Sequence, residues 1–281
     1  MKSLLIALLG AATVSAAGVT DHLGLQLYSV RSVGKAQGWA AALDKAKELG
    51  FTYIEGGAPP KGVTLDQYKA ELASRGLVLP SMGFAYERLT KDISSAVAQA
   101  KALGVQYVMV AWVPHKDDEG FTSDEATKAA ADFNAWGEAF NAAGITLAYH
   151  AHGYEFRPLP DGTNLFDFIV KNTNPKFVSF EMDVFWVTHG GQDPVKLLEK
   201  YPDRWVLMHV KDIRKGAPTG IYTGHAPATD DVAVGSGQVD WPAVFTEAQK
   251  VGVKWYFIED ESDTPFENIP KSVAYVKSLG M

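Results

Sequence analysis

Four apolar stretches of this chain close on polar residues spaced two apart: His150-Ala151-His152, Glu181-Met182-Asp183, His209-Val210-Lys211 and Glu259-Asp260-Glu261. In a β-strand, residues i and i+2 point to the same face, so each pair projects one way. Ionisable groups gathered in this number are costly to bury unless a metal ion and a polar substrate use them. Asp183, His209 and Glu259 supply two carboxylates and one imidazole. That set suits a divalent cation (Mn, Mg, Co or Zn) with positions left open for a carbonyl and a hydroxyl. With a base at hand, such a centre supports abstraction of a proton from the carbon next to a carbonyl. Reprotonation on the neighbouring carbon is isomerisation, on the opposite face epimerisation, and expulsion of a β-oxygen is elimination.

These residues are far apart in the chain, so the elements between them must bring them together. A helical stretch, a Gly and a run rich in Val, Ile, Tyr and Phe recur as a unit, in KELGFTYIE, LASRGLVLPS, KALGVQYVMV, NAAGITLAYH and KVGVKWYFIE. Gly50, Gly76, Gly104, Gly144 and Gly252 stand where a helix stops in a left-handed cap before a strand. Eight apolar runs result, at about 23–30, 52–56, 78–84, 107–112, 146–152, 178–184, 205–212 and 255–261. Strand and helix in alternation predict an α/β fold with a parallel sheet, and eight repeats predict closure into a single (β/α)8 barrel over residues 18–281. An open doubly wound sheet is the alternative, weakened because no Gly-rich dinucleotide fingerprint follows the first strand. In a barrel the C-terminal strand ends share one mouth, where the four polar pairs become neighbours. The Gly-, Pro- and Asp-rich stretch from Ile213 to about Asp240 is read as a substrate lid over that mouth, with an oligomer contact as the alternative. The segment from Val113 to Thr122 would hang over the same face.

The first residues, MKSLLIALLGAATVSAAG, put one Lys before an apolar run that ends in small residues, the pattern of a cleavable signal peptide ending near Ala17. A periplasmic or secreted protein is the expectation, and no Cys follows that could carry a lipid. A net charge of -7 without a basic cluster argues against a nucleic-acid partner. No span for a membrane is expected beyond the signal.

The segments YHAHGYEF at 149–156, FEMDVFWV at 180–187, DPVKLLEKYPDRWVLMHVKD at 193–212, VGSGQVDW at 234–241 and YFIEDES at 256–262 resemble the xylose-isomerase-like barrels. That family includes sugar isomerases and epimerases, inosose dehydratase and apurinic-site endonucleases, and the resemblance spans nearly all of residues 18–281. It implies that Asp183, His209 and Glu259 are three of four metal ligands. Many members end the fifth strand in Glu where this chain has His150-Ala151-His152. Glu155 is then the nearest carboxylate and the expected fourth ligand, with His150 as the alternative; His150 and His152 are otherwise acid/base groups or substrate contacts. Lys211 would steady a developing oxyanion or protonate a leaving oxygen, or else pair with Asp183 or Glu181. Glu181 and Glu261 would orient ligands or form structural pairs. Gln26, Tyr28 and Glu55 are candidates for hydrogen bonds to sugar hydroxyls. Phe84, Tyr86, Trp112, Phe185 and Trp186 are candidates for an aromatic platform or for ordinary core, with Trp112 and Trp186 as the expected substrate contacts.

The function expected is an exported, divalent-metal-dependent sugar isomerase or epimerase working through an enediolate. YHAHGYEF and FEMDVFWV also resemble barrels that cleave 3-keto glycosides by β-elimination, which gives the alternative. An exported enzyme should meet free sugars or glycosides, and a keto-glycoside substrate would call for a sugar oxidoreductase as a functional partner. An endonuclease would need a positive DNA-binding surface, and a non-catalytic sugar-binding protein would leave the clustered carboxylates without a role.

Overall fold

The computed structural model describes residues 18–116 and 120–281, so the signal-peptide segment lies outside the described residues. Eight parallel strands close into a barrel in sequence order: β1 (Leu23–Gln26), β2 (Tyr53–Gly57), β3 (Val78–Gly83), β4 (Tyr107–Val110), β5 (Thr146–His150), β6 (Val178–Asp183), β7 (Trp205–Val210) and β8 (Trp255–Ile258). Closure is direct, because β1 pairs with β8 at Leu23 and Tyr256 as well as with β2 at Gly24 and Tyr53. The open-sheet alternative falls with that pairing. Helices alternate with the strands, and each expected Gly stop has the positive φ of a left-handed turn, from 63° at Gly76 to 89° at Gly50. Thr64 and Thr122 start helices Leu65–Ser74 and Ser123–Asn141 as capping boxes with Gln67 and Glu125. Among the described residues, no helix is long and apolar enough to cross a membrane.

Strand periodicity sorts the side chains. Phe133, Phe140, Phe166, Phe180, Trp205 and Trp241 are fully buried and belong to the main core cluster. A separate cluster of Ala148, Leu207, Trp255 and Phe257, with Tyr53 and Tyr107 against it, packs apart from that core. Two residues further along the chain from Ala148, Leu207, Phe257 and Tyr53 stand His150, His209, Glu259 and Glu55, with Glu259 just past the end of β8. The barrel interior therefore changes from apolar to ionisable within one period of the strand, at the C-terminal mouth. Gly24 makes room inside: a Cβ there would lie 2.7 Å from the Phe257 ring.

The segment from Ile213 to Asp240 has more order than a lid alone would need. Asp212–Ile213 pairs with Asp231–Val232 as a short antiparallel ribbon. The buried Asp212 carboxylate accepts from the backbone amides of Gly235, Gly237 and Val239 and from Trp241 Nε1. A Cβ on Gly237 would fall 2.2 Å from Asp212 Oδ1, so this close approach requires Gly. The middle of the segment, at Gly224, His225 and Ala226, forms part of the wall of the mouth.

Candidate active site

A cavity of about 520 Å³ opens at the mouth, with His150, His152, His209 and Glu259 on its wall. The strand register sets the charged groups side by side. His150 is opposite Glu181, Asp183 is opposite His209, and Glu55 lies between Gln26 and Ser81. Two histidines each pair with a buried carboxylate. His209 Nε2 donates to Glu55 Oε2 at 2.6 Å, and His150 Nδ1 donates to Glu181 Oε2 at 3.0 Å. With the protons held there, the lone pairs of His209 Nδ1 and His150 Nε2 are left for another partner.

Those two nitrogens converge on two carboxylates. His209 Nδ1 stands 3.3 Å from Glu259 Oε2 and 3.6 Å from Asp183 Oδ2, and His150 Nε2 stands 3.8 Å from Asp183 Oδ2. Asp183 is fixed by its other oxygen, which caps helix Val184–His189 by accepting from the Trp186 amide at 2.9 Å. Asp183 Oδ2 and His209 Nδ1 are both buried without a hydrogen-bond partner, an arrangement that native interiors rarely leave uncompensated. Four donors at tetrahedral positions about 2.1 Å from a cation lie roughly 3.4 Å apart, close to the spacing seen here. Asp183, His209 and Glu259 thus fit a divalent cation, with His150 Nε2, 3.8 Å from Asp183 Oδ2, as the nearest further donor.

The charges agree with that fit. Burial opposes charge on His209, but Glu181, Glu259 and Asp183 outweigh it and hold its pKa well above the usual imidazole value. A cation taking Nδ1 would replace the proton that this site otherwise attracts. Burial and then the charge of Glu55 raise the Glu181 carboxyl to about 7. Glu259 goes the other way: burial opposes its ionisation, yet Lys211 and His209 bring it well below the usual carboxylate range.

Several expected residues stand elsewhere. Glu155 belongs to neither group of convergent ligand atoms among the described residues. Its buried carboxylate accepts from Tyr149 Oη and, at 3.0 Å, from the His152 amide, so it locks the turn after β5 and stands apart from the convergent donors, where the expected fourth ligand would be. Glu55 is fully buried and accepts from Gln26 Nε2 at 2.7 Å, from Ser81 Oγ and from His209, which leaves it no room for a substrate hydroxyl. Gln26 does line the cavity, as do Tyr28, Trp112 and Trp186. Phe84 and Tyr86 do not join a platform: they are buried against Phe140 and against Phe133 and Trp136. Lys211 pairs with Glu259 at 3.4 Å, with Glu261 and, at 3.9 Å, with Asp231, rather than with Asp183 or Glu181. Burial opposes its charge, and those three carboxylates keep it a cation.

His152 has a free Nδ1 and lies between two indoles, stacked on Trp186 at 4.6 Å and edge-on to Trp112 at 5.4 Å. Burial, then His150 and Lys211, push its pKa well below the ordinary value, so it is a neutral base facing the cavity. Sequence reasoning assigned Glu181 a choice of roles without finding its partner. The available signal was a strand-end carboxylate beside a strand-end His, which becomes decisive only with the β5–β6 register.

Residues 43–279 match the family described as the xylose isomerase-like TIM barrel. The chain belongs to that family. An inosose dehydratase from Mesomycoplasma hyopneumoniae (strain 7448) is 27% identical over 249 residues, covering 76% of this chain and 78% of the relative. The crystal structure of a sugar phosphate isomerase/epimerase from Parabacteroides distasonis ATCC 8503 superposes with a TM-score of 0.73 at 27% identity, covering 96% of this chain and 97% of that one. The crystal structure of the IOLI protein with a zinc atom shares the fold at a TM-score of 0.67 and 16% identity, over 92% and 96% of the two chains. The end of β5 and the turn after it carry a pair of histidines, His150 and His152.

Proposed function

We propose that this protein is a divalent-metal-dependent enzyme that removes a proton next to the carbonyl of a keto sugar or keto glycoside and expels the β-oxygen. The observation that carries this reading is the convergence of Asp183 Oδ2, His209 Nδ1 and Glu259 Oε2, with His150 Nε2 3.8 Å from Asp183, beside a neutral His152 that lines the cavity. A bound divalent cation would supply a positive charge against a substrate carbonyl oxygen. The two imidazole donors favour a transition metal such as Zn, Mn or Co over Mg, and a zinc-bound structural neighbour is consistent with that.

His152 is the base within reach of the cavity. It takes the proton from the carbon beside the carbonyl, the C–H electron pair forms the new C=C bond, and the β C–O bond breaks with its electrons on oxygen. Glu261, on the cavity wall, and Lys211, which donates to its carboxylate, hold and deliver the proton that the departing oxygen needs to leave as an alcohol or water. Trp112 and Trp186 offer ring faces to the C–H side of a sugar. Elimination needs one base on one face. The withdrawal of Glu155 removes the second carboxylate that a proton shuttle across the substrate plane would use, and the dehydratase relative also points to loss of a β-oxygen.

A sugar isomerase or epimerase is the second reading, favoured by the 27% identical isomerase/epimerase structure. Export by a cleaved N-terminal signal, and supply of the keto substrate by a sugar oxidoreductase, complete the proposal. Protein stripped with a chelator and reloaded with Zn, Mn or Co should regain release of the leaving group from a 3-keto glucoside. Full activity in the stripped protein, or turnover of unoxidised glucosides at a similar rate, would overturn it.

A further inference from the structure

We propose that a small chamber beside the main cavity is the subsite for the leaving group and takes a hydroxylated unit such as a second sugar ring; this rests on the elimination reading above. The chamber has a volume of about 200 Å³ and shares Trp186, Ala226 and Glu261 with the main cavity, so the two spaces meet at those residues. Its remaining polar wall is Arg31, Lys211 and Asp231. The charged wall of Arg31, Lys211, Asp231 and Glu261 suits hydroxyl groups, which both donate and accept.

The wall is built rather than incidental. Asp231 is 5% exposed, and its second oxygen accepts from the Glu261 amide at 2.6 Å, which fixes the carboxylate. Arg31 lies 4.4 Å over the Tyr28 ring and donates to the carbonyls of Tyr28 at 3.0 Å and Glu261 at 3.4 Å. Lys211 is held over the Phe185 ring at 5.0 Å. Glu261 stands at the threshold, on the wall of both spaces, with Lys211 bound to its carboxylate. A bond from a sugar in the main cavity to a unit in the chamber crosses that pair. A one-ring substrate with a methyl leaving group leaves the chamber and its charged side chains without a partner.

Binding to the metal-loaded full chain is compared by calorimetry for methyl glucoside, maltose and cellobiose, none of which carries the carbonyl needed for turnover. At least one disaccharide should bind about tenfold tighter than methyl glucoside. Saturation-transfer NMR should show contact with both of its rings. Ala228→Phe, which places a ring at the chamber wall, should abolish the difference. Equal affinities, contact with one ring only, or a preference that survives Ala228→Phe in folded protein would overturn the subsite. Release of the leaving group from the 3-keto forms is followed separately. A two-ring preference without release keeps the subsite and removes elimination, whereas release without preference does the reverse.

Discussion

The two halves of the barrel mouth are made of different chemistry. The ends of β5 to β8 carry His150, Glu181, Asp183, His209 and, just past the strand, Glu259, all buried and within one network. The ends of β1 to β4 contribute Gly56, Gly57, Gly83 and Met109 to the cavity, and their one buried carboxylate, Glu55, is spent on His209. One half supplies charge and the other supplies space. A sugar would therefore present its carbonyl to β5–β8 and lay its body over the glycines of β2 and β3. The difference also shows that polar residues of the quiet half work at a distance: Gln26 and Ser81 orient Glu55, Glu55 orients His209, and only His209 reaches the proposed metal position.

Removing a ligand on the charged half should have the largest effect. Asp183→Ala or His209→Ala should lower turnover by about a thousandfold or more, about 4 kcal/mol in barrier, with loss of bound metal measured by elemental analysis. Next is the support from the other half: Glu55→Gln should weaken metal affinity by about 10- to 100-fold in calorimetric titration while the protein stays folded. If Glu55→Gln matched Asp183→Ala, the distinction between ligand and support would collapse. Glu155→Gln should keep its metal and lose about tenfold in kcat, because the amide of His152 loses a charged acceptor. Loss of metal in that variant would return Glu155 to the ligand set. Metal affinity should rise with pH through the neutral range, since the raised pKa of His209 means that the proton on it must leave before a cation binds. Titrations at about pH 6 and pH 8 that gave equal affinity would contradict that competition. The smallest effect belongs to the floor. Nothing lies within 4 Å of a Cβ placed on Gly57, so Gly57→Leu should fold, fill part of the cavity and raise KM several-fold with metal binding intact.

How far the sequence carried the reading differs in the same way between local and long-range features. The strand starts fell within a residue of the expected runs, because alternation and the glycine stops are local signals. Strand ends other than that of β2 were placed too late, as at β1, β4 and β8, which end at Gln26, Val110 and Ile258, since the following residues stay apolar or polar in the same pattern while the backbone turns away. Asp183, His209 and Glu259 converge as their spacing suggested. Glu155 stands apart from them because a turn follows β5, and three residues in a turn do not preserve the strand's facing. The orienting role of Glu55 depends on a contact 154 residues away, which no local pattern records. A lone carboxylate in the run Tyr53-Ile54-Glu55-Gly56 did signal that something must compensate it. The packing of Phe84 and Tyr86 against helix Ser123–Asn141 was equally invisible, since rim and core aromatics look alike in sequence.

The central claim is metal-dependent removal of a proton beside a carbonyl. Its most direct test follows a 3-keto glucoside in deuterated water by NMR with metal-loaded protein, with chelated protein and with Asp183→Ala. Loss of the C–H signal next to the carbonyl, together with release of the alcohol, is expected in the metal-loaded wild type alone. An unchanged C–H signal in the metal-loaded protein, or the same loss in all three samples, would contradict it.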